Sequence, residues 1–328
     1  PRTGIKISAN ILITPKRWKK DKYETQHLFN ASYGFVRGGV NVGYVGLFPK
    51  AIGSFDFIIK ARADVPAIES FYGIGNETIE DVKSSSYYRT YSHRYFAAMG
   101  FQKVTEHHNV ELNGIYQAVR VDRKEGKYLS GLNPNLTEYN TNHFAGGEIA
   151  YRYRAVNDKV FPTKGFRFSI GGLYLNNIKK QNTSFTNFKS DVTFYLPLGK
   201  NFSIASRAAV AILSGEANFY HLNKLKGNLD LRGYNRERFY GKSAFNNNNE
   251  LRWAANTRNF LFTGKIGLLG FYDIGRVWQP LEQSNTWHTG YGGGFFIIPF
   301  NKIFLVATYE IPNGNDESLL QLRTGIYF

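Results

Sequence analysis

Three segments decide the fold: Leu231-Arg232-Gly233-Tyr234 in a long polar loop, Asn249-Glu250-Leu251-Arg252-Trp253 at the start of a strand, and Phe271-Tyr272-Asp273-Ile274-Gly275 at the end of the next strand. Because side chains alternate along a strand, Glu250 and Arg252 share one face, and Asp273 points away from Tyr272. If that face is enclosed, pairing with these carboxylates can keep the charge of Arg232 there. A solvated surface loop with unrelated charges is the alternative.

Alternation of apolar and polar residues dominates the whole chain, and helical periodicity is hardly present. In one segment Phe55, Phe57 and Ile59 alternate with Asp56 and Lys60. The pattern predicts about fifteen strands: Gly4–Ile13, His27–Tyr33, Val40–Phe48, Gly53–Ala63, Tyr87–Gly100, Val110–Val121, Phe144–Arg154, Gly165–Leu175, Phe188–Leu196, Phe202–Leu213, Asn247–Trp253, Lys265–Arg276, His288–Ile298, Ile303–Ile311 and Leu319–Phe328.

Strand length and side-chain chemistry separate a membrane barrel from a soluble sandwich. Strands of roughly ten residues fit a tilted membrane crossing better than the ~5–6 residues typical of soluble sheets. Long charged side chains at every second position need water on one face. An apolar outer face and a polar inner face, closed into a cylinder, satisfy every backbone group without an edge. We therefore predict an all-β, transmembrane antiparallel β-barrel over residues 1–328.

Composition restricts the remaining possibilities. The chain has 328 residues, with 42% hydrophobic and 16% aromatic content, and its mean hydropathy is −0.36. No apolar run approaches the ~18–20 residues that a spanning helix needs, which excludes a helical anchor. Cysteine is absent, so disulfides and thiolate metal sites are impossible. The aromatic surplus suits the girdles that barrels place at the two membrane interfaces.

The net charge of +16 first suggests nucleic acid. The charges, however, are dispersed along alternating strands, and the one dense basic run is Lys16-Arg17-Trp18-Lys19-Lys20-Asp21-Lys22. A solvated turn is the favoured interpretation of that run. Anionic lipid head groups or phosphorylated glycolipid come second, and nucleic acid is not expected as a partner.

Connection lengths predict the sidedness of the barrel. Short turns occur near 49–51, 161–164, 197–200 and 299–301, and long loops span 65–84, 122–142 and 214–245. Barrels of this type place short turns in the periplasm and long loops outside the cell. The two classes alternate as that rule requires, except for the basic segment from Thr14 to Glu24.

Taken in order, these motifs resemble the BamA/TamA-type bacterial surface antigen superfamily of outer-membrane assembly and secretion barrels. Arg232-Gly233-Tyr234 resembles the family's lumen loop, whose arginine docks on acidic strand residues, here Glu250 and Asp273. Pro162, Thr163 and Gly165 resemble its periplasmic turn. Other similarities are the aromatic terminus and the loop from Phe71 to Thr78, which resembles a Bacteroidota branch often fused to a metallophosphoesterase.

The resemblance implies a barrel of the 16-strand type, with the long external loop folded into the lumen. An even strand number then makes the fifteen segments strands 2–16, so we expect the first strand and an upstream periplasmic domain to precede Pro1. In the family, the first and last strands meet at a seam that opens sideways. Gly325, Tyr327 and Phe328 are the expected seam and C-terminal signal residues.

The function implied is assistance with insertion or translocation of proteins or lipids at the outer membrane of a Gram-negative bacterium. The expected partners are outer-membrane lipids or lipopolysaccharide, client β-barrel proteins and other assembly proteins. The alternatives are a membrane anchor for a periplasmic phosphoesterase-type fusion and a plain diffusion channel.

Motifs for catalysis and metal binding are not evident. No His-Glu-x-x-His, Gly-x-Ser-x-Gly or P-loop pattern occurs. Glu106, His107 and His108 are better explained as a solvated strand start than as metal ligands. Gly290, Gly292, Gly293 and Gly294 lie on a strand, where glycine eases bending or makes room for a neighbouring element. We therefore expect no enzymatic activity, no cofactor, no metal and no catalytic residue.

Overall fold

The computed structural model describes residues 6–15, 24–35, 38–80, 84–180, 183–227, 229–234, 237–258, 263–314, 316–325 and 328. Its strands are β1 (Lys6–Ile13), β2 (Gln26–Gly34), β3 (Gly39–Ile52), β4 (Phe55–Ser70), β5 (Arg89–Val104), β6 (His108–Val121), β7 (Asn142–Val156), β8 (Gly165–Asn177), β9 (Ser184–Pro197), β10 (Phe202–Gly215), β11 (Asn223–Leu225), β12 (Phe239–Gly241), β13 (Ser243–Arg258), β14 (Thr263–Trp278), β15 (His288–Pro299), β16 (Leu305–Pro312) and β17 (Leu319–Thr324). The helical elements are α1 (Tyr128–Leu132) and two 3₁₀ turns, Thr137–Tyr139 and Phe219–His221.

Fifteen of these strands form one antiparallel sheet in the order β1 to β10 followed by β13 to β17. Each strand pairs with its neighbour along the chain, while β11 and β12 form a separate two-stranded sheet. The predicted order of fifteen wall strands is therefore confirmed. Within the described part of the chain, β1 pairs only with β2 and β17 only with β16. The strand expected before Pro1 stays a prediction.

The sheet has an apolar outer face and a packed inner face. On β14, Leu268 is 57% exposed whereas the next residue, Leu269, is 7% exposed. The same alternation places Tyr272 outward and Asp273 inward. The period of two thus assigns every second side chain to the inside, as expected for a strand with two different environments.

Contacts with one connection show that the sheet curls around that connection. The lumen loop, residues 216–242, joins β10 to β13 and contains β11 and β12. Lys224 of this loop lies 2.7 Å from Glu69 on β4, and the Gly233 amide lies 3.1 Å from Glu310 on β16. β5 to β10 and β13 to β15 stand between β4 and β16 in the sheet order. The loop therefore lies inside the barrel.

The end of the barrel that carries the short turns is closed partly by the turn between β7 and β8. Phe161 of this turn stacks on Phe304 and lies 5.1 Å from the ring of Phe296. Leu269, Phe271 and Ile298 complete the apolar cluster. This floor cluster (Phe161, Leu269, Phe271, Phe296, Ile298, Phe304 and Val306) fills the lumen beneath the lumen loop.

The long-loop end is covered by the segment from Phe71 to Thr78. Gly75 donates its amide to the Tyr240 carbonyl at 2.7 Å, and the Tyr240 hydroxyl donates to the Ser70 carbonyl at 2.7 Å. Asn76 is fully buried and donates to the Thr286 carbonyl. The lumen loop and the outer loops therefore form one layer over the lumen.

Several predicted boundaries were wrong. β4 continues to Ser70 rather than ending near Ala63, with a register shift against β5 between Asp64 and Ala67. The loop predicted over 214–245 contains a small hairpin and a 3₁₀ turn. β17 ends at Thr324, so the predicted strand Leu319–Phe328 is too long. The basic run 16–22 and residues 1–4 lie outside the described residues. No helix in the described ranges is long and apolar enough to cross a membrane.

Candidate functional site

Arg232 reaches the inner face of the barrel wall because the next residue reverses the chain. Gly233 has φ +95°, and a Cβ atom at that position would lie 2.8 Å from the Pro312 nitrogen. Only glycine fits both the left-handed backbone and the close approach. The preceding side chain is thereby directed at the inner face of the wall, where 1% of it remains exposed.

The Arg232 guanidinium is held by two carboxylates. Its Nε and Nη2 donate to the two oxygens of Asp273, each at 2.7 Å, and its own amide donates to the same Asp273 at 3.0 Å. Nη1 donates to Glu250, and the Phe271 ring lies 3.9 Å below the guanidinium. This planar, bidentate arrangement is one that arginine makes and lysine does not.

A second arginine completes the charge balance. Arg252 lies two residues after Glu250 on the same face of β13, and its Nε donates to Glu250 at 2.6 Å. Its Nη1 donates to the carbonyl of Pro162 at 3.4 Å. Two cations therefore face two anions, all buried. Removal of one member leaves a buried charge without its counter-ion, which costs far more than the pair contributes.

The residues after Arg232 attach the loop to β15 and β16. The Gly233 amide donates to Glu310 of β16 at 3.1 Å. The Tyr234 hydroxyl lies 3.2 Å from the carbonyl of Thr289 on β15 and 2.8 Å from that of Asn313, just after β16. A Cβ atom on Gly290 would lie 1.7 Å from the Arg232 carbonyl. Gly290 therefore makes room for the loop, as the strand glycines were expected to do. The five predicted residues Arg232, Gly233, Tyr234, Glu250 and Asp273 form one buried group, the lumen lock.

Glu310 belongs to this group, although its sequence context did not indicate so. It is fully buried on β16 and accepts hydrogen bonds from Thr308, Gly233 and Arg323 of β17. One carboxylate therefore connects the lumen loop with the last strand of the sheet. The available signal was a lone acidic residue at an inward position of an otherwise uncharged strand.

Two of the expected seam and C-terminal signal residues, Gly325 and Phe328, lie where the last strand ends. Gly325 has φ +88° and donates its amide to the Phe304 carbonyl at 2.7 Å, so the chain leaves the sheet there. Phe328 is 8% exposed and packs inside against Tyr195 and Ala205. The alternation that puts Leu320 and Leu322 on the outer apolar face of the predicted strand Leu319–Phe328 also predicts Phe328 there. That prediction is wrong, because the turn at Gly325 interrupts the alternation. Tyr327 lies outside the described residues.

The predicted turn motif folds by local hydrogen bonds. Asn157 accepts from the amides of Thr163 and Lys164, each at 3.0 Å. Gly165 has φ +115°, and a Cβ atom there would lie 2.0 Å from the Ala155 carbonyl. Since Pro162 accepts from Arg252, the turn is joined to the lumen lock.

Burial shifts the titration of loop groups inside the lumen. Burial raises the pKa of Asp230, although Arg207 opposes the shift. Burial, together with the charges of Arg94 and Lys224, lowers the pKa of His221 to about 3. His221 is therefore neutral at physiological pH, and its Nε2 donates to Gln117 at 3.0 Å. In the ranges that the structure covers, no group of three His, Asp or Glu side chains is arranged to hold a metal ion.

Comparison with known proteins identifies the family. A family model described as the Omp85 superfamily domain matches residues 52–316. The chain belongs to the Omp85 superfamily. Its fold is similar to BamA from Haemophilus ducreyi lacking POTRA domains 1–3, with a TM-score of 0.73 and 16% identity. CdiB from Escherichia coli is similar at a TM-score of 0.64 and 11% identity.

The alignments cover almost all of this chain but only part of each solved structure. The alignment includes 99% of this chain in both cases, but 67% of the BamA chain and 60% of the CdiB chain. A search of curated proteins finds no match. At these identities the likeness shows the fold alone, an all-β barrel of the BamA type. The resemblance to the superfamily noted in the sequence is confirmed.

Proposed function

We propose that this Omp85 barrel lies in the outer membrane of a Gram-negative bacterium and assists the insertion or translocation of polypeptides, or of lipids, through a lateral seam. The action is mechanical rather than enzymatic. The proposed partners are client β-barrel proteins, other assembly proteins, and outer-membrane lipids or lipopolysaccharide. Membership of the superfamily supports this class of function.

The observation that carries the proposal is the weak pairing of β17. This strand has six residues, whereas β13 and β14 have sixteen each. Gly325 then turns the chain out of the sheet. A short edge strand exposes backbone groups to which another strand can add, and such addition is a general mode of polypeptide recognition. β17 is therefore the proposed site at which a client strand enters.

The filled lumen favours an assembly barrel over a diffusion channel. Arg232, Gly233 and Tyr234 bond the lumen loop to four wall strands, β13 to β16. The Tyr240 hydroxyl bonds it to Ser70 at the end of β4. A diffusion channel needs a continuous aqueous path, which this layer obstructs. An anchor for an upstream phosphoesterase-type domain of Bacteroidota is the second candidate, because Phe71 to Thr78 resembles that branch and forms part of the buried layer.

Site-specific photo-crosslinking in the full-length protein tests the proposal. A photoreactive residue replaces Leu322 on β17, which is 81% exposed, or Leu268 on the outer face of β14 as the matched control. We expect crosslinks to other barrel proteins during their synthesis from position 322 and not from 268. Equal crosslinking at both positions, or none at either, would contradict the seam. Normal barrel assembly after depletion of the protein would favour the anchor.

A further inference from the structure

A cavity of about 620 Å³ lies inside the barrel, between the lumen loop and the wall strands β8, β9 and β10. This volume falls within the range of ~300–1,000 Å³ that is typical of small-molecule sites. Phe185 of β9 and Leu222 of the lumen loop line the cavity and belong to the same apolar cluster as Phe71 and Tyr240. Because Phe71 and Tyr240 lie in the layer that covers the long-loop end, the cavity is closed on that side.

The lining of this cavity changes from charged to apolar along the wall strands. Lys189 on β9 is paired in register with Gly171 on β8. Phe185, which lies nearer the long-loop end of β9, is paired with Leu175. At ~3.3 Å per residue, the stretch of β9 from Phe185 to Asp191 spans about 20 Å. The cavity therefore has an apolar end under the lumen loop and a charged end toward the short turns.

Lys226 of the lumen loop joins Lys189 at the charged end. The Lys226 amide donates to Asp230 at 3.1 Å. Arg207 of β10 connects Asp230 with Asp191, at 3.5 Å and 3.7 Å respectively. These contacts bring the lumen loop just after β11 next to the part of β9 that carries Lys189 and Asp191.

The charges at this end are incompletely compensated. Five cationic side chains and three carboxylates line the cavity as a whole. Among the described residues, Lys189 and Lys226 form no ion pair, whereas each of the other three cations has a carboxylate partner. The two aspartates both pair with Arg207, which leaves Glu148 as the lining carboxylate without an ion pair in the same ranges. Two ammonium groups therefore face one carboxylate, and the excess positive charge favours an added anion.

The charged end continues toward the short turns. A second cavity of about 180 Å³ shares Ser169 and Lys189 with the first and extends to Arg152 on β7. Arg152 lies near Val156, where β7 ends at the turn to β8. A ligand that enters from this side with its apolar part first would reach the apolar end and leave its charged part at the two lysines.

We propose that the cavity binds a single-chain anionic amphiphile. Its head group lies at Lys189 and Lys226, where charge-assisted hydrogen bonds hold it. Its alkyl chain extends toward Leu175, Phe185 and Leu222 and replaces water along the apolar end. Fatty acids and lysophospholipids share this chemistry. The inference goes beyond the proposed function and is independent of the seam, because no described residue of β16 or β17 lines the cavity.

Photo-crosslinking of the full-length protein in lipid nanodiscs tests this assignment. The probe is palmitate that carries a diazirine at the end of its alkyl chain, and the comparison probe is the uncharged alcohol of the same chain. Mass spectrometry of the digested protein measures labelling at Leu175 and Phe185 inside the barrel. Labelling at Tyr174 and Phe188, which are exposed on the outer face, measures the probe that is dissolved in the bilayer.

Three variants separate the head-group contacts from the cavity itself. The test variant Lys189→Gln/Lys226→Gln removes the two ammonium groups. The control Lys50→Gln/Lys200→Gln removes the same charge from exposed positions at the short-turn end of the barrel. Ala209→Trp keeps both lysines and places a large ring in the cavity, which Ala209 lines. Heat-dependent gel mobility and unchanged labelling of the outer face verify that each variant is folded.

We expect palmitate to label the inner positions of the native protein and the alcohol to label only the outer ones. Inner labelling should fall about tenfold in the lysine variant, as loss of a charge-assisted hydrogen bond predicts. It should fall in Ala209→Trp as well and persist in the control. Absence of inner labelling in the native protein, equal inner labelling by the alcohol, or equal inner labelling in the two double variants would overturn the proposal.

Competition distinguishes the two sources of the head group. Unlabelled palmitate presents a carboxylate, and unlabelled lysophosphatidylglycerol presents a phosphate. The competitor that suppresses inner labelling at the lower concentration identifies the head group that the two lysines prefer. If neither competitor suppresses it, the labelling is not that of a binding site, and the proposal fails.

Discussion

The backbone amide of Gly233 donates to Glu310 across 3.1 Å, so the lumen loop is bonded to the strand next to the edge of the sheet. Arg323 of β17 contacts the other oxygen of the same carboxylate. The lumen lock and the proposed seam therefore share one residue. Because both contact Glu310, substitutions in the lumen lock should also affect β17, and their effect can be measured on that strand.

Replacement of Arg232 by Ala should release the loop. Glu250 and Asp273 lose the cation that they share, and loss of one partner of a buried pair costs roughly 3–5 kcal/mol. The amides of residues 232 and 233 donate to Asp273 and Glu310, so hydrogen exchange at these two amides should accelerate by about two to four orders of magnitude. Arg120→Ala, at a half-exposed arginine of β6, should leave both unchanged. Unaltered exchange in Arg232→Ala would contradict the lock.

Glu310→Gln tests the connection between the loop and β17. Glutamine retains an acceptor for the Gly233 amide but loses the ion pair with Arg323. A hydrogen bond to a charged group contributes about 1.5–3 kcal/mol, so exchange across Leu319–Thr324 should accelerate at least about tenfold. Glu106→Gln, at an exposed side chain, is the matched control. The shared-carboxylate model fails if β17 exchanges at the native rate.

Gly290→Ala should displace the loop by steric overlap alone. The new Cβ atom would lie 1.7 Å from the Arg232 carbonyl, which is backbone and cannot rotate away. Overpacking of this kind costs about 1–3 kcal/mol, and the denaturant midpoint in micelles should fall. Gly270→Ala on the neighbouring strand is the control, because its Cβ atom would be 4.0 Å from the nearest heavy atom. Equal midpoints for the two variants would refute the close approach.

Acid should loosen the loop around His221. Burial lowers the pKa of this residue from 6.5 to about 3 in the docked loop. An undocked loop binds the proton first, so docking is strongest above pH 6.5 and weakens as the pH falls toward 3. The loss is up to about 1.4 kcal/mol per pH unit.

Hydrogen exchange at Phe219–His221 measures this effect. After correction for intrinsic rates, opening should increase between about pH 7 and about pH 5. His221→Gln should remove most of that dependence, while His143→Gln at a residue that hydrogen-bonds Tyr116 on an exposed surface should preserve it. A flat profile in the native protein would contradict the burial of a neutral imidazole.

The inward positions of the wall were predictable because alternation is a local property. Glu250, Arg252 and Asp273 were assigned to the inside from the alternation of side chains along their strands, and the structure places them there. The pairing of Arg232 with these residues was expected from the family resemblance. A loop has no regular alternation of side chains, so the sequence alone does not show which way Arg232 points. Its functional role stays a prediction.

Other features depend on contacts between distant parts of the chain. Glu310 was not among the predicted site residues, because nothing near it in the sequence reveals that Gly233 approaches it. Phe328 was assigned to the wrong face because the turn at Gly325 cancels the alternation. β4 was ended at Ala63, whereas a register shift between Asp64 and Ala67 lets its pairing with β5 resume at Ala67.

The carboxylate of Glu310 has two oxygens, and the lumen loop and β17 each occupy one of them. Coupling between two sites is reciprocal in free energy. An agent that binds the surface loops and draws the lumen loop outward would therefore weaken the edge strand by the same free energy by which release of the edge strand would weaken the loop. Susceptibility to such agents and readiness to accept a client would then vary together.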